Sequence, residues 1–423
     1  MTTRRQFLQG SAAALALASS RVTLGWAPGT SRAGGDINAH NGKTLVVLFF
    51  RGGMDGLNML IPRTDIHRSE YESKRPNLQV PLSKILNLNG AFGLPDAVPE
   101  LHQLYQNGDL AMIHAVGMPD GLGSRSHFDS QKMFELGTPG DTSIGTGWLA
   151  RHLQSTGNVP PAASVTSMAT GNPPTSLAGE SEVMSIDDPG SFHPNSGRYQ
   201  EEHLQYLRLL HSGSTPLDLA MQSAADTVEL VQTLNLDIPQ FYPNTSLADD
   251  LGLVAQVIKQ DIGLRVASVD FGGWDTHENQ GSGGAGGYFD RLAQVSAAVG
   301  AFFTDLQNSG LMNDVVLVTQ TDFGRRVREN GNKGTDHGTA QVMMVAGGAV
   351  NGGQVYGSFP GISDTDLYLN TDLRATTDFR LPLSDLVLNF LGNPNTDVVF
   401  PGYTGPTSMG LVPTDAIFAS GFD

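Results

Sequence analysis

Residues 264–280 read LRVASVDFGGWDTHENQ, and the change from an apolar first half to a polar, glycine-containing second half indicates the fold. Its first half is apolar and rich in β-branched residues, which is typical of a buried strand. Its second half is a glycine-containing loop that carries Asp275 and His277 beside Trp274. In α/β sheets, ligands bind beyond the carboxyl ends of the strands, so this loop is a candidate for a metal or catalytic site. An ordinary surface turn is the alternative.

Strand and helix patterns alternate along the rest of the chain. Apolar runs such as KTLVVLFF, DLAMIHAVG, DVVLVTQTDFG and TAQVMMVAGGA predict further strands, and YFDRLAQVSAAVGAFFTDLQNSG predicts a long amphipathic helix. This alternation predicts an α/β fold with a mostly parallel central sheet sandwiched between helices. We expect one domain over residues 35–423, with a mainly helical insertion at about 198–262.

The N-terminus, MTTRRQFLQGSAAALALASS, has the residue order of a twin-arginine export leader. Arg4 and Arg5 are followed by Phe7, Leu8 and a modest apolar stretch. We expect residues 1–34 to be this leader, although an ordinary amphipathic helix is the alternative. The leader predicts the twin-arginine translocase as a partner and a periplasmic or extracellular protein. We expect no transmembrane helix in the mature form, since no other apolar run reaches about 18 residues.

The composition limits the kinds of ligand that the protein can bind. The formal charge of −17 repels phosphates over the whole approach and argues against a nucleic-acid partner. The absence of cysteine removes thiol catalysis, disulfides and thiolate-bound metal. A metal site must therefore use histidine, carboxylate, hydroxyl or water, which suits Zn, Mg, Mn or Ca.

Polar side chains follow or precede five predicted strands, in RGGMDGLN, GSRSHFD, GGWDTHEN, TDFGRR and GTDHGTA. A lone aspartate after a strand is more often a turn or capping residue than a ligand. Two Asp–His groups supply the carboxylate and imidazole donors that a borderline divalent ion prefers. We therefore expect the loops to converge on one site. The candidate metal ligands are Asp55, Asp275, His277, Asp322, Asp336 and His337.

The segment SRSHF precedes a predicted helix, so Ser126 or Ser124 is expected to be its N-cap. The alternative is catalytic: a hydroxyl at a helix N-terminus that also contacts a metal has a lower pKa and becomes a nucleophile. Arg125 is a candidate to clamp an anionic substrate through two parallel hydrogen bonds. Arg51 and Arg325 are further candidates for substrate binding.

Five motifs together resemble domain-of-unknown-function family 1501. They are LVVLFFRGGMDGLN, SRSHFDSQ, GGWDTHEN, TDFGRRVREN and GTDHGTAQVMMVAGG, and they occur in this order behind the leader. The resemblance runs from about residue 45 to 392. That family is grouped with the alkaline phosphatase and sulfatase superfamily. The resemblance therefore implies an alkaline phosphatase-like fold, divalent metal at the strand ends, and ester hydrolysis by a metal-activated Ser, Thr or formylglycine.

The site residues of this sequence match the pattern of the superfamily only in part. Asp55 lies several residues late after its strand, and the spacing of Asp275 and His277 is shorter than usual. Phe323 follows Asp322 where the superfamily has histidine, so we expect either one or two metal ions. Sulfatase chemistry is less favoured, because the chain has no cysteine and no Ser-x-Pro-x-Arg motif that would supply a formylglycine.

These patterns predict an exported metal-dependent hydrolase that attacks a small anionic phosphate, sulfate or phosphonate ester through Ser126. One alternative is a non-catalytic binding or assembly protein on the same fold, which Phe323 favours. The other is a purely structural metal site.

Overall fold

A computed structural model describes residues 42–156, 167–180, 183–186 and 200–413. The predicted leader, residues 1–34, and the start of the predicted insertion lie outside these ranges. Among the described residues we find no helix that combines the length and the apolarity of a membrane span.

The strands follow one another through both halves of the chain. They are β1 (Thr44–Phe50), β2 (Ile61–Pro62), β3 (Ile85–Asn87), β4 (Phe92–Pro95), β5 (Leu110–Gly117), β6 (Ser167–Ala169), β7 (Val183–Ser185), β8 (Val266–Phe271), β9 (Val315–Thr321), β10 (Gln341–Ala346), β11 (Gln354–Tyr356) and β12 (Thr377–Asp378).

Helices separate most of these strands. They are α1 (Gly56–Met59), α2 (Asp65–Lys74), α3 (Pro99–Asn107), α4 (His127–Leu136), α5 (Trp148–Ser155), α6 (Gln200–Leu210), α7 (Pro216–Thr233), α8 (Ser246–Lys259), α9 (Gly287–Asn308), α10 (Arg380–Asp385) and α11 (Thr396–Val399). A π-helical turn, Leu386–Phe390, continues α10.

Nine strands form the central sheet within the described ranges, in the order β11-β5-β10-β9-β1-β8-β6-β7, with β12 beside β5. The pairings of β1 with β8 and β9 are parallel, whereas β10 runs antiparallel to both β5 and β9. Reversal of β10 brings its first residues to the edge where β1, β8 and β9 end. Strands β2, β4 and β3 form a separate small antiparallel sheet.

Helices cover both faces of the sheet, and this explains why every residue of β1 and β9 is buried. One face packs against α3, α8 and α9 through residues such as Leu101, Val254 and Phe302. The other face packs against α4, α5 and α10 through residues such as Phe134 and Trp148. The predicted α/β class, with a mostly parallel sheet between helices, is therefore confirmed.

The segment between β7 and β8 contains α6, α7 and α8, where we expected helices. Helix α8 is part of the main core, because Leu247, Leu251 and Val254 are buried with residues of the sheet and α9. The last helix of this segment thus belongs to the layer that covers the sheet.

Candidate metal centre

Four side chains from three loops meet at the carboxyl edge of the sheet: His127, Asp275, His277 and His337. Asp275 and His277 follow β8, His337 precedes β10, and His127 is the first residue of α4. The Nε2 atoms of His277 and His337 are 2.8 Å apart, and Asp275 Oδ1 lies 3.0 and 3.2 Å from them. His127 Nε2 is 3.5 Å from Asp275 Oδ2. We call these four residues the His–Asp cluster.

Each imidazole of the His–Asp cluster is held through its other ring nitrogen. His337 Nδ1 lies 2.8 Å from the carbonyl oxygen of Arg125. His277 Nδ1 lies 3.4 Å from Asp336 Oδ1, and His127 Nδ1 is hydrogen-bonded to Asp322 Oδ2. Carbonyl and carboxylate oxygens only accept, so these contacts assign the Nδ1–H tautomer to the neutral rings and leave each Nε2 lone pair facing the cluster.

Electron pairs therefore converge in the His–Asp cluster, and this geometry fits a cation. Two imidazole lone pairs and a carboxylate oxygen within about 3 Å repel one another unless a positive charge lies among them. His127 Nε2 is buried and has no hydrogen-bond partner in the described part of the chain, although buried polar atoms are normally paired. Three imidazole nitrogens and a carboxylate suit Zn²⁺ or a similar transition ion better than Mg²⁺ or Ca²⁺.

The local charges keep the donors in the form that a metal ion needs. Burial opposes ionisation of Asp275, but the hydrogen bond from Arg325 Nη2, at 2.8 Å, and the positive charge of Arg325 outweigh it and lower the pKa of Asp275 below its usual value. Burial also lowers the pKa of His337. At neutral pH the site therefore combines an ionised carboxylate with a neutral imidazole.

The His–Asp cluster is open on one side and apolar on the other. The side chains of Asp275 and His277 are 45% and 43% exposed, so solvent reaches them. The buried ring of Phe323 packs against His127 and His337, with centroids 4.8 and 4.5 Å away. A ligand can therefore approach the cluster from the side of Asp275 and His277.

Two glycines after β1 allow the main chain to pass close beneath the cluster. Gly52 and Gly53 have φ angles of 121° and 75°, which non-glycine residues rarely adopt. A Cβ atom on Gly52 would lie 2.6 Å from the amide nitrogen of Asp275, and one on Gly53 would lie 2.6 Å from the Phe323 ring. A larger residue at either position would displace the cluster or its apolar wall.

Sequence comparison supports the expected family for the segment that carries most of this site. Residues 252–394 match the family described as "Protein of unknown function (DUF1501)". The predicted family is confirmed over this segment. The DUF1501 segment contains Asp275, His277 and His337 but not His127. No curated protein shows significant sequence similarity to the chain.

Solved structures to which the chain is similar include a sulfatase, a phosphonate monoester hydrolase and an alkaline phosphatase. A sulfatase from Pseudoalteromonas sp. has 10% identity and a TM-score of 0.41, and covers 88% of this chain and 72% of its own. The phosphonate monoester hydrolase of Agrobacterium radiobacter has 11% identity, a TM-score of 0.30, and coverage of 74% and 70%. An alkaline phosphatase with bound Mg has 11% identity, a TM-score of 0.29, and coverage of 72% and 91%.

Asp55 does not join the His–Asp cluster. Its side chain is only 1% exposed, and its Oδ2 accepts hydrogen bonds of 2.5 Å from Arg75 Nη1 and from Gln280 Nε2. Its carbonyl oxygen accepts from the Tyr288 hydroxyl at 2.6 Å. We correct the expectation accordingly, since Asp55 is half of a buried ion pair instead of an open ligand.

Asp322 and Asp336 contact the histidines from outside the cluster. Asp322 is fully buried and also accepts from the Gly52 amide at 3.1 Å and from Gln131 Nε2 at 2.9 Å. Asp336 accepts from Asn330 Nδ2 at 3.0 Å, and this hydrogen bond lowers the pKa of Asp336. Both were expected to be direct ligands, but the geometry makes them groups that orient His127 and His277.

Arg51 and Arg125, two of the three arginines expected at the substrate, are already paired with carboxylates. Arg51 Nη2 donates to Glu135 at 2.7 Å and to Asp270 at 2.9 Å. Arg125 donates to the buried carboxylate of Asp372 through Nη2 and Nε, at 2.5 and 3.1 Å. Binding a substrate anion would require each of them to leave its partner.

Arg325 is sealed inside the protein. Its side chain has no exposed surface and donates to the carbonyl oxygens of Gly53 at 2.6 Å and Thr335 at 2.9 Å, as well as to Asp275. Its role in this geometry is to hold Asp275 beneath the histidines, which leaves no donor for a substrate.

Ser126 is the N-cap of α4, as expected for one of the two serines in this segment. Its Oγ accepts from the amide of Asp129 at a long 3.5 Å, and its own amide donates to Ser124 Oγ at 3.0 Å. Its place as a nucleophile stays a prediction.

The sequence interpretation missed His127 as a member of the cluster. The residue lies inside the quoted SRSHFD segment, directly after the expected N-cap. Side chains of a helix lean towards its N-terminus, so an imidazole in the first turn can reach over the helix end. The position of His127 directly after the N-cap was therefore the sequence feature that could have identified it as a cluster residue.

Proposed function

We propose that the His–Asp cluster holds a divalent metal ion and that this protein is an exported, metal-dependent hydrolase of phosphate or related sulfate or phosphonate esters. One observation carries the proposal: three Nε2 atoms point at Asp275 while each Nδ1 is engaged elsewhere. The exposure of Asp275 and His277 favours a site that accepts a ligand over a purely structural site, because structural metal sites are closed.

Residues around the cluster would have distinct roles at such a metal site. A bound divalent ion would polarise an ester oxygen and lower the pKa of a bound hydroxyl or water. Arg325 keeps Asp275 ionised and fixes its Oδ1. Phe323 excludes water from the inner side of His127 and His337, which strengthens electrostatic interactions there.

Ser126 is the proposed nucleophile. It immediately precedes His127, and it caps a helix whose N-terminal end favours developing negative charge. The hydrogen bond that its Oγ accepts from Asp129 is long, at 3.5 Å, so capping holds the hydroxyl weakly. Ser124, whose Oγ accepts from the Ser126 amide at 3.0 Å, is the neighbouring serine and serves as the matched control.

Export by the twin-arginine route supplies the proposed location, periplasmic or extracellular, with the translocase as partner. The support is the residue order around Arg4 and Arg5. We expect replacement of both residues by lysine to retain the protein in the cytoplasm, which fractionation of expressing cells measures.

The activity is tested with zinc-loaded protein and a panel of phosphate, phosphonate and sulfate esters. We expect one bound ion per chain or more, turnover of at least one ester class, and loss of turnover in Asp275→Asn. The Ser126→Ala variant should lose turnover while Ser124→Ala retains it. Zinc binding without turnover of any ester would favour the non-catalytic alternatives, and a protein that binds no divalent ion would contradict the proposal altogether.

A further inference from the structure

We propose that Arg326 forms an oxyanion subsite beside the His–Asp cluster, which binds a phosphate or sulfate group. The inference rests on the proposed function, since it takes the cluster as the place where an anionic ester lies. It adds the group that recognises the anion. None of the three arginines that the sequence pointed to can take this role without leaving a partner.

The guanidinium of Arg326 has more N–H donors than it has acceptors among the described residues. Its single hydrogen bond to another described residue runs from Nη1 to Asp336 Oδ2 at 3.4 Å, which is long for a charged pair. Its Nε is buried and has no partner in the described ranges. A guanidinium carries five N–H donors, and a buried donor without an acceptor is unfavourable. The exposed part of the guanidinium is therefore available to an incoming acceptor, and a ligand oxygen that reached Nε would satisfy its N–H group.

The position of Arg326 connects it to the cluster. The carboxylate that it touches, Asp336, also faces His277 Nδ1 at 3.4 Å. Its amide donates to the carbonyl oxygen of Asp336 at 2.9 Å, and its main chain bridges to Asp372. The side chain is 38% exposed, so a ligand can reach it from solvent. The guanidinium thus lies one carboxylate away from an imidazole of the cluster.

The local charges favour a small oxyanion at this place. Asp336 is shared among Arg326, Asn330 and His277, so it does not fully occupy the guanidinium. In a chain of charge −17, a cation that keeps unpaired donors beside the cluster attracts an anion. The planar fork of arginine matches two oxygens of phosphate or sulfate.

The test is calorimetric titration of inorganic phosphate into zinc-loaded and into metal-free protein. The variants are Arg326→Gln, Arg326→Lys and the control Arg328→Gln. Arg328 lies two residues away, is 53% exposed and pairs with Asp364 at 2.8 Å. We expect Arg326→Gln to weaken phosphate binding about 10- to 100-fold, as loss of a charged hydrogen bond does. Arg326→Lys should lie between it and the wild type, and Arg328→Gln should stay within about twofold.

Two results would overturn the subsite: unchanged phosphate affinity in Arg326→Gln, or no phosphate binding by zinc-loaded wild-type protein. Separate zinc titrations keep this failure distinct from failure of the hydrolase proposal, because Arg326→Gln should bind zinc like the wild type. If the wild type binds no zinc, the ranking of the variants in metal-free protein still decides the role of Arg326. Phosphate binding that depends on Arg326 in a protein without turnover supports the subsite and contradicts the hydrolase.

Discussion

Asp55 and Asp275 both follow strands of the same sheet and both lie against a fully buried arginine, yet they end in opposite environments. Asp55 faces Arg75 and Gln280 in a sealed interior. Asp275 faces Arg325 on one side and three imidazoles on the other, and is 45% exposed. What separates a structural carboxylate from a candidate ligand here is the environment around the arginine pair.

The difference has a physical cause. A sealed carboxylate must have its charge matched by its neighbours, because burial without a partner costs several kcal/mol. An open carboxylate can retain an oxygen for a ligand, because water solvates that oxygen when no ligand is bound. Asp275 Oδ2, 3.5 Å from His127 Nε2, is such an oxygen.

The largest expected effect is on stability. We expect Asp55→Ala to lower the free energy of unfolding by about 3–5 kcal/mol, since it leaves the Arg75 charge buried and unmatched. In metal-free protein, His277→Ala should cost less than about 1 kcal/mol, since that side chain is half exposed. Urea unfolding of both variants makes the comparison. Equal losses would contradict the division into a sealed pair and an open cluster.

A buried histidine, His152, makes the stability of the protein depend on pH, and this dependence tests the same contrast between buried and open sites. His152 is fully buried, and burial, followed by the charge of Arg265, lowers its pKa to about 3. The unfolded chain binds this proton near pH 6.5, so the stabilisation is complete above pH 6.5 and is lost as the pH falls towards 3. Between pH 6.5 and 4.5 the loss is about 2 kcal/mol.

The His152→Leu variant should therefore be less sensitive to acid than the wild type in urea unfolding at several pH values. Asn393 keeps its hydrogen bonds to the residue 152 carbonyl oxygen and to Ser155 in that variant. The exposed His203 supplies the control variant, His203→Leu, which removes a histidine from the surface. Parallel profiles for wild type and His152→Leu would refute the assignment.

Zinc affinity distinguishes Asp55 from Asp322, the carboxylate that orients His127 in the cluster. We expect Asp322→Asn to weaken zinc binding about 10- to 100-fold, because it releases the His127 ring from its acceptor. Asp55→Asn should leave zinc affinity unchanged in the protein that remains folded. Calorimetric titration of zinc measures both, and an effect of Asp55→Asn as large as that of Asp322→Asn would merge the two regions into one site.

The smallest expected effect concerns the cap of α4. Ser126→Ala should lower the free energy of unfolding by about 0.5–1 kcal/mol, the usual cost of a lost N-cap, and its long hydrogen bond places it at the low end. Thr245→Ala is the matched variant, because Thr245 caps α8 and accepts from Ala248 at 3.3 Å. A much larger loss for Ser126→Ala than for Thr245→Ala would show that Ser126 does more than cap the helix in the folded protein.

The strands and their polar ends were predictable from the sequence, because apolar runs such as those of β1 and β9 report full burial directly. The place of Asp275 and His277 follows from the rule that parallel strands end at one edge. His337 lies at that edge because β10 runs antiparallel to β9 and begins there. The fate of Asp55 was not predictable, since its partner Arg75 lies on a different element and no local pattern connects the two.

The adjacent residues Arg325 and Arg326 likewise show what the sequence alone could not predict. In an extended segment, neighbouring side chains point to opposite sides. The Arg325 main chain bridges to His337 and that of Arg326 to Asp372. The guanidinium of Arg325 is buried, whereas that of Arg326 is partly exposed and has one long contact with Asp336. Alternation predicts that the two differ, but only the tertiary structure tells which one points inwards.

The reversal of β10 has a consequence for engineering. Because β9 and β10 are antiparallel neighbours, the chain from residue 322 to 340 leaves and re-enters the sheet at one edge. This single excursion carries Asp322, Arg325, Arg326, Asp336 and His337. Exchange of this excursion for that of a relative would change the proposed anion subsite and one histidine of the cluster together, while His127, Asp275 and His277 stay on other segments.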